Sequence, residues 1–319
     1  MLKQWIPAAK PDKEELDKRL DAAQEELLRL QMQIKEHKLP VLVLIEGWGA
    51  AGKGSTIGGI IKNIDPRFFK VASMSAPTEE EKRKPFLYRY FVKIPEAGKF
   101  EFLDSGWMDE VTKGRLRGEL SDKQYAERIE SIKRFERQLT DNGYLVLKLF
   151  FQIGKKEQKK RLEELEGNKD TAWRVGENDW WQNKHYDKCE EVFDKYLTDT
   201  NASVAPWYII DSGDKKWAEL QVLETLCSGI HVAMQNESLA VPILQNVFPL
   251  VKMPRLSEVE LDGLRQLAAC RTDMINFANA LHGLTDDEKV RLFRHRPTML
   301  EWYEKVAAVT DRVTDFLQS

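Results

Sequence analysis

Residues 40–54 read Pro-Val-Leu-Val-Leu-Ile-Glu-Gly-Trp-Gly-Ala-Ala-Gly-Lys-Gly, and this stretch decides the fold. Residues 41–46 form an apolar run of the kind that becomes a buried strand. The run leads directly into residues 47–54, which have the G-x-x-x-x-G-K pattern of a phosphate-binding loop. Such a loop lies between a strand and a helix, and residues 57–64 are compatible with a helix. The sequence therefore predicts a strand–loop–helix unit that binds phosphate.

The composition of this loop suits a phosphate-binding role. Its glycines allow backbone N–H groups to point at phosphate oxygens, and the following helix N-terminus adds partial positive charge. Lys53 supplies a point charge for the terminal phosphates. Gly54 stands where Ser or Thr is usual, and Ser55 and Thr56 come next. The predicted phosphate- or nucleotide-binding residues of the loop are Gly47, Gly49, Ala50, Ala51, Gly52, Lys53, Gly54 and Ser55.

The overall charge and the cysteines exclude several classes of partner. The 319 residues carry 49 Lys and Arg against 52 Asp and Glu, a net charge of −3, so no overall positive field attracts nucleic acid. Cys189, Cys227 and Cys270 lack metal-ligand spacing and are expected to be reduced thiols. The sequence shows no charged-then-apolar leader and no apolar stretch near the ~20 residues that cross a bilayer. We expect a soluble, cytoplasmic protein with neither a nucleic-acid nor a membrane partner.

Strand-like and helix-like segments alternate from residue 40 to about residue 235. The strand candidates are residues 41–46, 69–75, 100–104, 144–151 and 207–211, and the clearest helices are residues 122–140 and 155–165. Apolar strands separated by helices predict an α/β fold, a P-loop kinase-like parallel sheet with helices on both faces. Ligands bind beyond the carboxyl ends of such strands. Both the Gly47 loop and Asp104 lie at such ends.

Two helical regions are expected to flank the sheet. Asp12 and Glu15 have the spacing of a helix cap, and an apolar stripe follows them, which either docks on the sheet domain or pairs with another subunit. Docking is the default expectation. Three prolines in residues 239–256 predict an extended connector. The predicted division is an N-terminal helical segment at 1–38, a P-loop domain at 39–238, the connector at 239–256 and a helical C-terminal extension at 257–319.

Three further groups of residues are candidates for chemistry. Asp104 ends a predicted strand beside the loop, where an acidic residue holds Mg²⁺ in phosphate-loop enzymes; its alternative role is to cap the next helix. Arg89 lies among aromatic residues, and a half-buried guanidinium needs an anionic partner, a role that bound phosphate would serve. Arg161 and Arg174 lie in a basic region after the fourth strand, which closes over phosphates in nucleotide kinases. A solvated surface helix is the alternative for that region.

Together these residues resemble the polyphosphate kinase 2 family, including its polyphosphate:AMP phosphotransferase branch. The resemblance covers roughly residues 12–235. It rests on the segments at residues 46–54, 86–90, 147–151, 158–162, 173–174 and 205–207, with Pro95, Gly98, Phe135, Glu136 and Asp179. It implies a P-loop kinase fold, Mg²⁺ dependence, a homo-oligomer, and phosphoryl transfer between inorganic polyphosphate and an adenine nucleotide. It also implies that Lys53, Asp104 and Arg89 are catalytic, with Asp104 as the metal ligand.

The chain departs from the active family pattern at two places. That pattern has an acidic residue where Gly49 stands, and Asp-Arg-Ser-Trp-Tyr where this chain has Asp-Ser-Gly-Trp-Met at residues 104–108. One carboxylate and one phosphate-facing arginine are therefore missing, as is typical of the degenerate module in members with two fused copies. Three hypotheses follow: a polyphosphate-dependent nucleotide phosphotransferase of reduced activity, a pseudokinase that binds polyphosphate or nucleotide, and an ATP-dependent nucleoside monophosphate kinase.

Overall fold

Five apolar segments of the chain form one parallel sheet. The computed structural model describes residues 1–74 and 76–236, with side chains described up to residue 234. Its strands are β1 (Val41–Gly47), β2 (Phe69–Ser73), β3 (Phe100–Asp104), β4 (Leu145–Gln152) and β5 (Trp207–Asp211). They lie in the order β2-β3-β1-β4-β5, and every pair is parallel. The predicted α/β fold with a parallel sheet is confirmed.

Helices connect successive strands of the sheet. Within the described residues they are α1 (Lys13–Glu36), α2 (Lys53–Ile61), α3 (Glu79–Lys82), α4 (Tyr88–Phe91), α5 (Trp107–Arg117), α6 (Asp122–Asp141), α7 (Lys155–Glu166), α8 (Glu177–Lys184), α9 (Tyr186–Thr200) and α10 (Lys215–Asn236). Short 3₁₀ turns occur at Leu2–Gln4, Pro66–Phe68 and Ala172–Arg174. None of the described helices is long and apolar enough to cross a membrane.

The strand order places β1 at the centre of the sheet. Its first five residues, 41–45, are at most 1% exposed, which explains why the sequence shows an unbroken apolar run there. After β1 the chain builds β2 and β3 on one side of it, and then β4 and β5 on the other. The order therefore reverses at β1, and a crevice opens at the carboxyl end of such a strand. The glycine-rich loop begins there.

Helix α1 packs along α10 of the same chain. Its apolar stripe is buried at Leu16, Leu20, Ala23, Leu27, Leu30 and Ile34. Asp17 pairs with Lys216 at 2.7 Å, and Arg19 pairs with Glu224 at 2.7 Å. Because the partner numbers rise together, the two helices run in the same direction. The stripe therefore docks within its own chain, as the default expectation had it.

Three predicted strands have slightly different bounds. β1 ends at Gly47, one residue later than predicted. β2 ends at Ser73 rather than at residue 75, because Ser73 is already paired with Asp104, the last residue of β3. β4 begins and ends one residue later than predicted. The chain divides into two compact units, Met1–His231 and Val232–Ser319. The predicted connector (239–256) and C-terminal extension (257–319) lie outside the described residues.

Candidate functional site

The glycine-rich loop joins the end of β1 to the start of α2. Gly47 and Gly52 have φ angles of 131° and 92°, values that favour glycine, and Gly52 is the N-cap residue of α2. The first N–H groups of α2 have no partner within the helix and carry its partial positive charge. The Lys53 ammonium donates to the carbonyl oxygens of Trp48 at 2.8 Å and Gly47 at 3.2 Å. The loop is thus folded around its own lysine at a site suited to an anion.

A cleft of about 1490 Å³ opens beside this loop. Of the residues predicted to act, the cleft is lined by Ala50, Ala51, Gly52, Lys53, Gly54, Ser55, Asp104, Arg161 and Arg174. Two groups that the sequence analysis missed also line it: Lys10, Lys13 and Asp17 from the segment before α1 and its first turns, and Asp214, Lys215 and Lys216 from the turn after β5 and the start of α10. The second group follows the carboxyl end of a strand, which was an available signal.

Asp104 faces the loop rather than capping the next helix. Its Oδ2 lies 3.9 Å from the position that a Cβ at Gly54 would take, and the N-cap residue of α5 is Gly106. Burial raises the pKa of the Asp104 carboxyl, Lys53 opposes that rise, and nearby Asp109 adds to it. A carboxylate with a second one close by is a site where a bound cation relieves repulsion. This chemistry fits Mg²⁺.

The acidic neighbours of Asp104 are engaged differently. Asp109 lies close enough to raise the pKa of Asp104, and its carboxylate pairs with Lys113 at 2.6 Å. Glu110 instead contacts the Arg89 guanidinium at 3.3 Å. Within the described residues no group of three or more His, Cys, Asp or Glu side chains could hold a metal by itself. Mg²⁺ at this place would rely on Asp104, water and substrate phosphate oxygens, which is its usual habit.

Glu46 is a buried carboxyl beneath the loop that the sequence analysis did not select. It is 1% exposed, and its Oε1 accepts from the N–H groups of Gly106 at 2.9 Å and Met108 at 3.1 Å. Burial, followed by repulsion from Asp109, raises its pKa to about 8. The two backbone donors tie the end of β1 to the start of α5. A charged residue inside an apolar strand was the signal in the sequence.

Helix α8 covers Gly49. The Gly49 N–H donates to Gln182 Oε1 at 2.8 Å, and its carbonyl accepts from Gln158 Nε2 at 3.1 Å. A Cβ built at Gly49 would lie 3.1 Å from Cγ of Asp179 and overlap its Oδ1. The residue that departs from the active family pattern is therefore also the residue on which α8 packs. In this arrangement a side chain at position 49 would have to displace the Asp179 carboxylate, which is the end of a flexible side chain.

Three buried amides, the amide cluster of Gln158, Gln182 and Asn183, join α7, α8 and the loop. Gln158 Nε2 donates to Gln182 Oε1 at 3.2 Å, and Asn183 Nδ2 donates to Gln158 Oε1 at 2.9 Å. Asn183 also donates to the carbonyl of Lys155 at 2.9 Å. Buried polar groups must find partners inside the protein, and these partners are specific. The amide cluster thus holds α8 in one position over the loop.

Arg161 and Arg174 both line the cleft, but they are held differently. Arg161 is 8% exposed and donates to the carbonyls of Ser212 at 2.6 Å and Gly213 at 3.0 Å. It thereby ties α7 to the turn after β5. Arg174 is exposed, and its guanidinium lies over the Trp173 ring at 5.2 Å from the centroid. Arg174 is the better placed of the two to meet a ligand.

Arg89 lies outside the residues that line the cleft. It is 6% exposed, and its guanidinium pairs with Glu110 at 3.3 Å and Glu81 at 3.9 Å. The Tyr90 hydroxyl donates to the same Glu110 carboxylate at 2.9 Å. The sequence analysis expected an anionic partner for a buried guanidinium, and carboxylates of the chain take that place.

Comparisons with known proteins agree with this geometry. The family model of polyphosphate kinase 2 matches residues 10–238. A polyphosphate:AMP phosphotransferase of Pseudomonas aeruginosa is 30% identical over 230 residues, covering 72% of this chain and 46% of that protein. An ADP-polyphosphate phosphotransferase 3 of Rhizobium meliloti is 29% identical over 213 residues, covering 67% of this chain and 75% of that protein.

Solved structures show the same likeness. A polyphosphate kinase 2 from Pseudomonas aeruginosa PA01 superimposes with a TM-score of 0.69 at 28% identity, covering 73% of this chain and 50% of that one. A polyphosphate kinase 2 from Arthrobacter aurescens TC1 gives a TM-score of 0.68 at 25% identity, covering 72% and 82%. This chain spans about half the length of the Pseudomonas relatives that it matches. It belongs to the polyphosphate kinase 2 family.

Proposed function

We propose that this chain transfers phosphoryl groups between inorganic polyphosphate and an adenine nucleotide, AMP or ADP. The observation that carries the proposal is the cleft at the carboxyl edge of the sheet, which is lined by Lys53, Asp104 and Arg174. Phosphoryl transfer depends mainly on positioning and on stabilising charge, and this cleft offers a cation, a carboxylate and helix N–H groups for both. Family membership supports polyphosphate as the donor or acceptor.

Each cleft residue has a proposed role in that reaction. The N–H groups at the start of α2, with Gly52, Gly54 and Ser55, bind phosphate oxygens. Lys53 leaves its two carbonyl partners and neutralises the terminal phosphates. Arg174 contacts the phosphate chain from the turn between α7 and α8. Arg161 positions the loop and the turn after β5 through its carbonyl contacts.

Asp104 is the proposed ligand of Mg²⁺. A bound Mg²⁺ would neutralise phosphate charge during the transfer. Around it, the chain holds the Asp104 carboxylate in a buried position and keeps Lys53 close enough to favour its ionised form. Arg89 is proposed to act through Glu110 and Tyr90, fixing the segment before β3 rather than touching the substrate.

A binding protein without turnover is the second candidate, and Gly49 favours it. The Asp179 side chain of α8 lies beside Gly49, where active members carry a carboxylate, and Ser105 stands where they carry an arginine. Each such electrostatic group contributes on the order of 10²–10³ in rate in other enzymes. The cleft would then bind polyphosphate or nucleotide and act by association.

One assay separates these candidates. The full chain is incubated with Mg²⁺, long-chain polyphosphate and AMP or ADP, and the formation of ADP or ATP is measured. Product supports the phosphotransferase. Binding of polyphosphate in a calorimetric titration without any product supports the pseudokinase. ATP replacing polyphosphate as the only effective donor supports the nucleoside monophosphate kinase.

Three further properties belong to the same proposal. The family resemblance supports a homo-oligomer, and the acidic net charge supports a protein without a nucleic-acid partner. We propose the cytoplasm as its location, where reduced cysteines and adenine nucleotides coexist. Cys189 and Cys227 are both buried free thiols, in keeping with that setting.

A further inference from the structure

Trp173 is the one aromatic side chain among the described residues that line the cleft. It is 77% exposed, an unusual state for the largest apolar side chain of a folded protein. The indole is nevertheless oriented, because its Nε1 donates to the carbonyl of Asp170 at 2.9 Å. An open aromatic surface held in one orientation at the wall of a binding cleft is a feature that a ligand can use.

The surroundings of Trp173 leave most of its ring available. The Arg174 guanidinium lies 5.2 Å from the ring centroid and occupies part of one face. Both residues belong to the short turn Ala172–Arg174, which follows α7 and precedes α8. A cation on one face of an aromatic ring leaves the other face free for stacking.

We infer that the Trp173 indole is the platform on which the nucleobase stacks, with the phosphates of the nucleotide directed toward Lys53. This inference rests on the proposed function. A nucleotide has one flat apolar end and one charged end, and the cleft offers one aromatic surface and one cationic loop. Polyphosphate has no flat end, so the indole serves the nucleotide alone.

A stacking platform at Trp173 selects ligands by whether they carry a base. Stacking on an aromatic side chain tolerates every base, because every base has a π-face. Trp173 therefore contributes to affinity for nucleotides in general and does not by itself distinguish adenine from guanine. It distinguishes a nucleotide from a sugar phosphate.

The test compares three ligands that differ in the base and in the phosphate chain. Calorimetric titrations measure AMP, ribose 5-phosphate and long-chain polyphosphate against the full chain, Trp173→Ala and Trp173→Phe. We expect Trp173→Ala to weaken AMP about tenfold, to leave ribose 5-phosphate and polyphosphate unchanged, and Trp173→Phe to stay within about threefold of the unmodified chain. Trp5→Ala is the matched control, since Trp5 lies on a different groove.

The other outcomes overturn the inference in distinguishable ways. Unchanged AMP affinity in Trp173→Ala, with AMP and polyphosphate still bound, excludes the platform and leaves the proposed function standing. An equal loss for AMP, ribose 5-phosphate and polyphosphate shows that Trp173 only positions Arg174. Polyphosphate bound without AMP by the unmodified chain excludes a nucleotide site and the platform with it. No binding of either ligand overturns the proposed function as well.

Discussion

The two halves of the glycine-rich loop face different surroundings. Around the first half, a Cβ at Gly47 would overlap the backbone carbonyl of Phe151, and a Cβ at Gly49 would overlap Asp179. Around the second half, a Cβ at Gly52 would meet nothing closer than 3.7 Å, and one at Gly54 nothing closer than 3.9 Å. Gly47 is required by packing against the backbone of β4, and a side chain at Gly49 would displace the Asp179 carboxylate. Glycines in the second half leave room for a ligand.

Of the substitutions proposed, Gly47→Ala in the first half of the loop should lower the free energy of unfolding the most. The substitution combines a left-handed φ of 131° with overlap against the Phe151 backbone, which cannot move without disturbing β4. We expect a loss of roughly 3–5 kcal/mol in the free energy of unfolding. Urea denaturation measures it. Gly118→Ala is the control, because Gly118 also has a positive φ, 73°, but has open space around it. Equal losses in both variants would show that overlap with Phe151 contributes nothing.

Glu46→Gln, directly before the first half of the loop, should remove a pH dependence from the free energy of unfolding. Burial raises the pKa of the folded Glu46 carboxyl to about 8 from its ordinary value of 4.5, so between these pH values the folded state holds a proton that the unfolded state releases. Stability therefore falls as pH rises through this window, by about 2 kcal/mol between pH 6 and pH 8. Glutamine keeps an oxygen acceptor for Gly106 and Met108 and cannot ionise.

The pH dependence is read from urea midpoints of the two proteins at pH 6 and pH 8. The Glu46→Gln variant should be nearly flat over this range and more stable than the unmodified chain at pH 8. Glu25→Gln on the exposed face of α1 serves as the control and should keep the full slope. A slope unchanged by Glu46→Gln would assign the dependence to another group.

A double-mutant cycle at Gly49 and Asp179 tests whether α8 limits what the loop can carry. Gly49→Ala should cost about 2 kcal/mol in the free energy of unfolding, and Asp179→Ala about 1 kcal/mol because Asp179 accepts from Gly176 N–H at 2.9 Å. Removing both should cost about 1.5 kcal/mol less than the sum. Gly58→Ala, inside α2 with open space at its Cβ, is the control and should stabilise the fold by up to about 1 kcal/mol. An additive cycle would show that the two residues do not contact each other in solution.

Lys53→Ala, in the second half of the loop, should weaken ligand binding. Removing the ammonium should weaken polyphosphate or nucleotide at least tenfold, about 1.4 kcal/mol, with a small change in stability. Calorimetric titration measures it against Lys156→Ala, an exposed lysine on α7 outside the cleft. If affinity is the same in the Lys53 variant, the loop is not the anion site.

The sequence predicted the elements whose residue pattern lies within one short segment of the chain. β3 and β5 have the predicted bounds, because short buried strands of a parallel sheet are apolar runs ended by polar residues. The loop and the position of Asp104 at a strand end followed from the same pattern. The orientation of the Asp104 side chain toward Gly54, rather than toward the start of α5, could be known only from the register of β1 with β3.

The contacts that decide the site's properties come from distant segments and could not be predicted. Gly49 is covered by Asp179 and Gln182, about 130 positions later in the sequence. The Arg89 guanidinium pairs with the Glu110 carboxylate, and composition alone does not predict which anion takes that place. Local patterns carry the secondary structure, whereas side-chain partners across the fold depend on where helices pack after the sheet has formed.

The amide cluster has one more consequence, for a protein whose proposed ligand is a long polyanion. Polyphosphate brings a dense atmosphere of counterions, and surface ion pairs weaken as ionic strength rises. Gln158, Gln182 and Asn183 carry no net charge and are buried, so their hydrogen bonds are neither screened by salt nor altered by pH. The amide cluster is therefore expected to hold α8 on the loop with unchanged strength, while the charged contacts around the cleft weaken or strengthen with ionic strength.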